Sequence, residues 1–163
     1  MLGRDDDPQA VIAELGPPLF VKPLREGSSM GMARVTDGGA LAAAVTAARA
    51  YGSDVLVERC IEGAEYTVGL LGDEVLPAIR IEVATDFYDF DAKYRSDATR
   101  MHIPCGLPAA SEAAMADLVR QAFVAIDASG WGRVDLMADA EGGFWLLEVN
   151  TIPGMTDHSL GPA

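Results

Sequence analysis

The chain has 163 residues, half of them hydrophobic, which suits one domain with its own core or one lobe of a larger protein. Its formal net charge is −13 and no cluster of Lys and Arg rises above that background, which excludes a nucleic-acid backbone or an acidic membrane as partner. A nucleotide whose phosphates are neutralised by a divalent cation stays open, because acidic residues are what hold such a cation.

The opening MLGRDDDPQA has no apolar run, so no export signal is expected. Asp5, Asp6 and Asp7 precede a helical pattern from Pro8 to Leu15, which Gly16, Pro17 and Pro18 terminate. LFVK (19–22) reads as a strand, LREGSSMG (24–31) as a Gly/Ser loop and MARVT (32–36) as a second strand. Leu41, Ala44, Val45 and Ala48 form a helical stripe ended by Gly52; ALAAAVTAARAYG carries Arg49 and is too short to span a bilayer. DVLVER (54–59) is a third strand, and EYTVGLL (65–71) and EVLPAIRIEV (74–83) flank Gly72 and Asp73, a two-residue hairpin turn.

Residues 84–110 lack a clear period and read as a long functional loop with one short strand at most. A helix then follows, capped by Ser111, with Met115, Leu118, Val119, Ala122, Phe123 and Ile126 facing a core. RVDLMAD (133–139) and FWLLEVN (144–150) pair around residues 140–143. Cys60 and Cys105 lack a C-x-x-C spacing, and His102 and His158 complete no four-ligand set, so two free thiols, no zinc and a reducing cytoplasm are expected. The pattern as a whole predicts an α+β fold with two small sheets.

The last hairpin carries the densest chemistry. A four-residue loop closed by Asp139 and Phe144 sets Asp135 opposite Glu148. Alternation then places Arg133, Asp135, Glu148 and Asn150 on one face, and Val134, Leu136, Trp145, Leu147 and Val149 on a buried one. Three oxygen-bearing side chains beside a guanidinium suit Mg²⁺ and a phosphoryl group. A surface hairpin with a cross-strand ion pair would show the same residues.

Against ten Arg, the chain has two Lys, at 22 and 93. Lys is a compact cation suited to a single phosphate oxygen, and Lys22 precedes a loop whose N–H groups and hydroxyls could face phosphate; a solvated Lys beside a flexible turn is the alternative. Glu58, Arg59, Cys60 and Ile61 could form a hinge whose backbone reads an adenine edge, and Glu65 could bind ribose or be a solvated strand acid.

Together, VKPLREGSSMGM (21–32), VLVERCIEGAEYTV (55–68), FYDFDAKY (87–94), GWGRVDLM (130–137) and LLEVNTIPGMTDHSL (146–160) resemble the D-alanine-D-alanine ligase family, over about residues 18–160. That resemblance implies an ATP-grasp fold of two small α+β subdomains with largely antiparallel sheets and ATP between them. Residues 1–64 would be part of the lid subdomain and 65–163 the C-terminal subdomain with the metal site. It implies that Lys22 and Lys93 hold ATP phosphates, that Glu58, Arg59 and Ile61 meet adenine with Phe87 and Leu147 packing on it, and that Glu65 binds ribose. For Leu147, strict alternation points away from Glu148, so its contact requires a bend in the strand.

Asp135, Glu148 and Asn150 would carry two Mg²⁺ ions, with Mn²⁺ as a substitute. Arg133 and the backbone at Gly154 would stabilise a tetrahedral intermediate, Ser159 would hold the carboxylate of the second D-alanine, and Ser28 with Tyr94 would surround the attacking amine. Tyr94, where ester-forming relatives carry Phe, favours the dipeptide. The activity implied is ATP-dependent joining of two D-alanines through an acyl phosphate, for peptidoglycan precursors in the cytoplasm, by full-length members that pair as homodimers. The family's N-terminal α/β domain and the helix after HSL have no counterpart here, so a fragment is expected, inactive alone. An ATP-binding module without turnover and another ATP-grasp carboxylate-amine ligase are the competing expectations.

Overall fold

The structure, a computed structural model, describes residues 7–27, 29–52, 54–83 and 99–153. It divides into two compact units, one reaching Cys60 and one from Ile61 onward.

The first unit opens with helix α1 (Pro8–Leu15). Asp7 caps it by accepting the Gln9 N–H, and Pro8 fits its first turn, where an N–H would have no helical partner. Strands β1 (Leu19–Pro23), β2 (Ala33–Val35) and β3 (Val55–Arg59) form an antiparallel sheet in the order β2-β1-β3, and α2 (Gly38–Arg49) packs on β1. Along β1, Leu19, Val21 and Pro23 are buried while Phe20 and Lys22 are partly exposed. Leu19 and Val21 join Val35, Leu41, Val45, Ala48 and Val55 in one core, with α1 contributing Val11, Ile12 and Leu15 at its margin. The helices therefore cover one face of the sheet. Period-two alternation turns Phe20, Lys22, Leu56 and Glu58 to the other.

In the second unit, strands β4 (Gly63–Leu71), β5 (Glu74–Val75), β6 (Ile79–Glu82), β7 (Arg100–His102), β8 (Trp131–Asp139) and β9 (Phe144–Asn150) form one antiparallel sheet. Its order is β7-β6-β4-β8-β9, with β5 also on β4. The expected strand over 74–83 is two strands, because Pro77 has no N–H to give the ladder; Leu76 still bonds Gly69, and pairing resumes at Ile79 one residue out of step. Helix α3 (Ala109–Ala125) covers one face, burying Met115, Val119, Ala122 and Phe123 against Tyr66, Val68, Leu70, Val134 and Leu136. Two expectations for this helix are corrected. Ser111 does not cap it: the helix starts at Ala109 behind Pro108, whose backbone conformation sets the entry with no side-chain cap bond. Ile126 lies past its last residue and is half exposed.

Candidate functional site

The β8–β9 hairpin turns on a three-residue loop. Asp139 N–H bonds the Gly143 carbonyl, Gly142 N–H bonds the Asp139 carbonyl, and Gly142 takes the positive φ of 84° that completes such a turn. The expected four-residue loop is thus one residue too long. Ala138 pairs with Phe144 and Leu136 with Leu146, yet Asp135 pairs with Glu148, because the ladder slips by one between Asp135 and Leu136. Leu147 is the extra residue of a β-bulge. The bulge undoes the shift set by the turn and restores the facing of Asp135 with Glu148 and of Arg133 with Asn150.

The burial expected along β9 is not found at Trp145 and Leu147, which are 43% and 41% exposed. Three residues of turn put Trp145 opposite Met137, on the face away from the helix, and its indole N–H bonds the Asp139 carboxylate at 2.7 Å. Phe144 and Val149 take the places at the margin of the core.

Asp135 is the centre of the site, and it is buried rather than open, at 7% exposure. Its Oδ1 accepts the Thr67 hydroxyl at 2.6 Å and the Arg133 Nε at 2.8 Å, and its Oδ2 accepts an Arg133 Nη at 2.8 Å and the Asn150 amide at 3.0 Å. Four donors thus surround one carboxylate, which compensates for its removal from water. The same Asn150 Nδ2 lies 3.3 Å from Glu148 Oε1, so a hydrogen-bond donor bridges the two carboxylates. Glu65 shares this face, opposite Met137 on β4. Among the described residues no group of three or more His, Cys, Asp or Glu could hold a metal ion; the candidate set is two carboxylates and an amide.

In the first unit, Lys22 Nζ and Glu58 Oε2 are 2.6 Å apart. Lys22 faces Leu56 in the β1–β3 register and Phe20 faces Glu58, so the pair is diagonal across two strands on the face the helices leave uncovered. Arg59 turns the opposite way, its Nε donating to the Leu15 carbonyl at 3.3 Å, and its neighbour Cys60 donates its N–H to Pro18. Ile61 opens the second unit and is partly exposed. Ser28, Phe87, Lys93, Tyr94, Gly154 and Ser159 lie outside the described residues.

Thr67 joins the site with no signal in the sequence. The stretch EYTVGLL signals a strand, and alternation puts Thr67 on the face of Glu65, but nothing local indicates that β4 pairs with β8 or that Thr67 stands opposite Asp135. Among the described residues no helix is long and apolar enough to cross a membrane.

A family model described as D-ala D-ala ligase C-terminus matches residues 2–163. A D-alanine--D-alanine ligase of Chromohalobacter salexigens is 57% identical over 162 residues, which is 99% of this chain and 52% of that protein, so the chain spans about half the length of such curated relatives. The crystal structure of the VanG D-Ala:D-Ser ligase from Enterococcus faecalis is similar at 35% identity and a TM-score of 0.78, covering 93% of this chain and 45% of that one. That of D-alanine--D-alanine ligase from Bacillus anthracis complexed with ATP gives 31% identity and a TM-score of 0.79, over 98% and 51%. The fold is therefore the α+β ATP-grasp fold expected, and the hairpin with Arg133, Asp135, Glu148 and Asn150 lies inside the matched stretch. The chain belongs to the D-ala D-ala ligase C-terminus family.

Proposed function

We propose that this chain carries the nucleotide and metal half of an ATP-dependent ligase that joins two D-alanines through an acyl phosphate. The observation that carries the reading is the grouping of Arg133, Asp135, Glu148 and Asn150 on one face of β8–β9. The chemistry of this set fits Mg²⁺ or Mn²⁺, two ions in all. Asp135 and Glu148 face each other, and both turn an oxygen to the Asn150 amide, so two carboxylates and an amide group converge on one point. When bound, the cations would neutralise phosphate charge and draw electron density from the transferring group.

The side chains have distinct tasks in this reading. Asp135, Glu148 and Asn150 supply oxygen ligands. Arg133 offers a planar fork suited to the phosphoryl group and to the oxyanion that forms when an amine attacks the acyl phosphate. Lys22 supplies a compact cation for an ATP phosphate; its pairing with Glu58 is a partly exposed contact of the kind that contributes only about 0–1 kcal/mol, so phosphate can displace it. Glu58, Ile61 and Leu147 would meet adenine, Arg59 through its backbone alone because its side chain turns to the Leu15 carbonyl, and Glu65 would meet the ribose. Lys93, Phe87, Ser28, Tyr94, Gly154 and Ser159 keep the roles the family resemblance implies. The same resemblance supports a cytoplasmic enzyme of peptidoglycan precursor synthesis that pairs as a homodimer when full length, with neither nucleic acid nor membrane as partner.

The likeness to a D-Ala:D-Ser ligase raises one specific second reading, in which the acceptor is another D-amino or D-hydroxy acid. The test is release of phosphate from Mg-ATP by the chain supplemented with the separately expressed N-terminal half of a full-length relative, with D-alanine, D-serine or D-lactate, the product being identified by mass. Phosphate release and dipeptide only with D-alanine support the proposal. A preference for D-serine or D-lactate supports the second reading, and binding of Mg-ATP without turnover makes the chain a nucleotide-binding module.

A further inference from the structure

We propose that Thr67 is a positioning residue: its buried hydroxyl fixes which way the Asp135 carboxylate turns, and thereby sets the affinity of the β8–β9 face for a divalent cation. This rests on reading Asp135, Glu148 and Asn150 as the cation-holding side chains.

Thr67 stands directly opposite Asp135 in the β4–β8 register, with its Oγ1 2.6 Å from Oδ1, the short distance of a hydroxyl bonded to an ionised carboxylate. At 1% exposure the hydroxyl has no access to bulk water, so its one proton goes to Asp135. The four donors around Asp135 differ in their freedom to move. Arg133 and Asn150 carry long or rotatable polar ends and are only part-buried, so they can yield to an incoming cation. Thr67 cannot. It is β-branched, hence stiff at χ1, and it sits on β4 with β6 on one side and β8 on the other.

The two Asp135 oxygens therefore have different roles. Oδ1 is held from the sheet interior by Thr67, while Oδ2 is turned towards the Asn150 amide that also reaches Glu148. Oδ2, whose partners Arg133 and Asn150 can yield, is the oxygen that would be offered to a cation. Without the hydroxyl, Oδ1 loses its one immobile partner and the carboxylate can rotate away from Glu148. Hydrogen bonds that orient a ligand in this way typically govern metal affinity by about 10–100-fold.

The experiment is titration of this chain with Mn²⁺, following the electron paramagnetic resonance signal of the free ion, beside thermal unfolding of the same samples. Thr67→Val keeps shape and strand preference but removes the proton; Thr67→Ser keeps the proton. We expect Thr67→Val to stay folded and bind Mn²⁺ about tenfold more weakly, Thr67→Ser to restore affinity to within about twofold, and Asp135→Asn to abolish binding. Unchanged affinity in Thr67→Val with Asp135→Asn impaired overturns the role of Thr67 and leaves the site reading standing. Binding by Asp135→Asn equal to that of the unaltered chain, or no binding by the unaltered chain, overturns the site reading and the proposal with it. Should Thr67→Val fail to fold, Thr67→Cys, a far weaker donor of similar size, replaces it, and unchanged affinity there also overturns the proposal.

Discussion

Arg133 and Asp135, two residues apart on β8, form a two-pronged ion pair in which Nε reaches Oδ1 and an Nη reaches Oδ2, each at 2.8 Å. The guanidinium provides positive charge beside this buried carboxylate.

Arg133→Ala leaves the Asp135 charge with neutral donors, so the chain should lose about 3 kcal/mol of stability, the lower end of what breaking a buried pair costs. Mg²⁺ should recover part of that loss, raising the midpoint of thermal unfolding more in the variant than in the unaltered chain. Equal midpoints with and without Mg²⁺ would argue against a cation site at Asp135.

Asp139 organises the turn of the same hairpin. The indole N–H of Trp145, then the backbone N–H of Gly143, hold its pKa below the ordinary 3.8. A carboxylate lowered in the folded state contributes fully above its unfolded value, and the contribution disappears as pH falls through the folded pKa. The Trp145 indole resonance, followed by NMR, should therefore be constant above about pH 5 and shift as pH falls below about 4. In Asp139→Asn it should not titrate there; an identical acid shift in that variant would show that another group is responsible.

Lys22→Arg should weaken Mg-ATP binding by on the order of tenfold, because in the proposed reading position 22 addresses one phosphate oxygen with a compact cation, whereas a guanidinium would pair more firmly with Glu58. Calorimetric titration of both proteins decides this. Equal affinities would make the scarcity of Lys a matter of composition alone.

Gly132→Ala should destabilise the second unit by about 1–3 kcal/mol through overpacking. A Cβ there would lie 2.5 Å from the Phe123 ring and 3.0 Å from the Asn150 carbonyl, so the buried Phe123 ring must shift and the end of β9 is crowded. Denaturant unfolding measures the loss, and a variant as stable as the parent would mean that Phe123 repacks freely.

The hairpin shows how far the residues alone could be read. The facing of Asp135 with Glu148 was legible, yet by a four-residue turn and a straight strand. The molecule reaches the same facing by a three-residue turn and a bulge at Leu147, two one-residue differences that cancel at the site. They do not cancel in between, so Trp145 lies opposite Met137 and not on the face that a straight strand would give it. Pro77 likewise breaks a strand where periodicity continued through it.

The sequence by itself determined the element order apart from the break at Pro77, the apolar stripe of α2 and that of α3 as far as Phe123, the family and the cluster of Arg133, Asp135, Glu148 and Asn150, because periodicity, turn chemistry and motif are local properties of the chain. Only the tertiary structure decided that Asp135 is buried, that Thr67 holds it, and that Lys22 pairs with Glu58. Those contacts join strands far apart in the chain, Thr67 and Asp135 being 68 residues apart, and their register is set by packing of each sheet's apolar face against its helices rather than by any neighbouring residue.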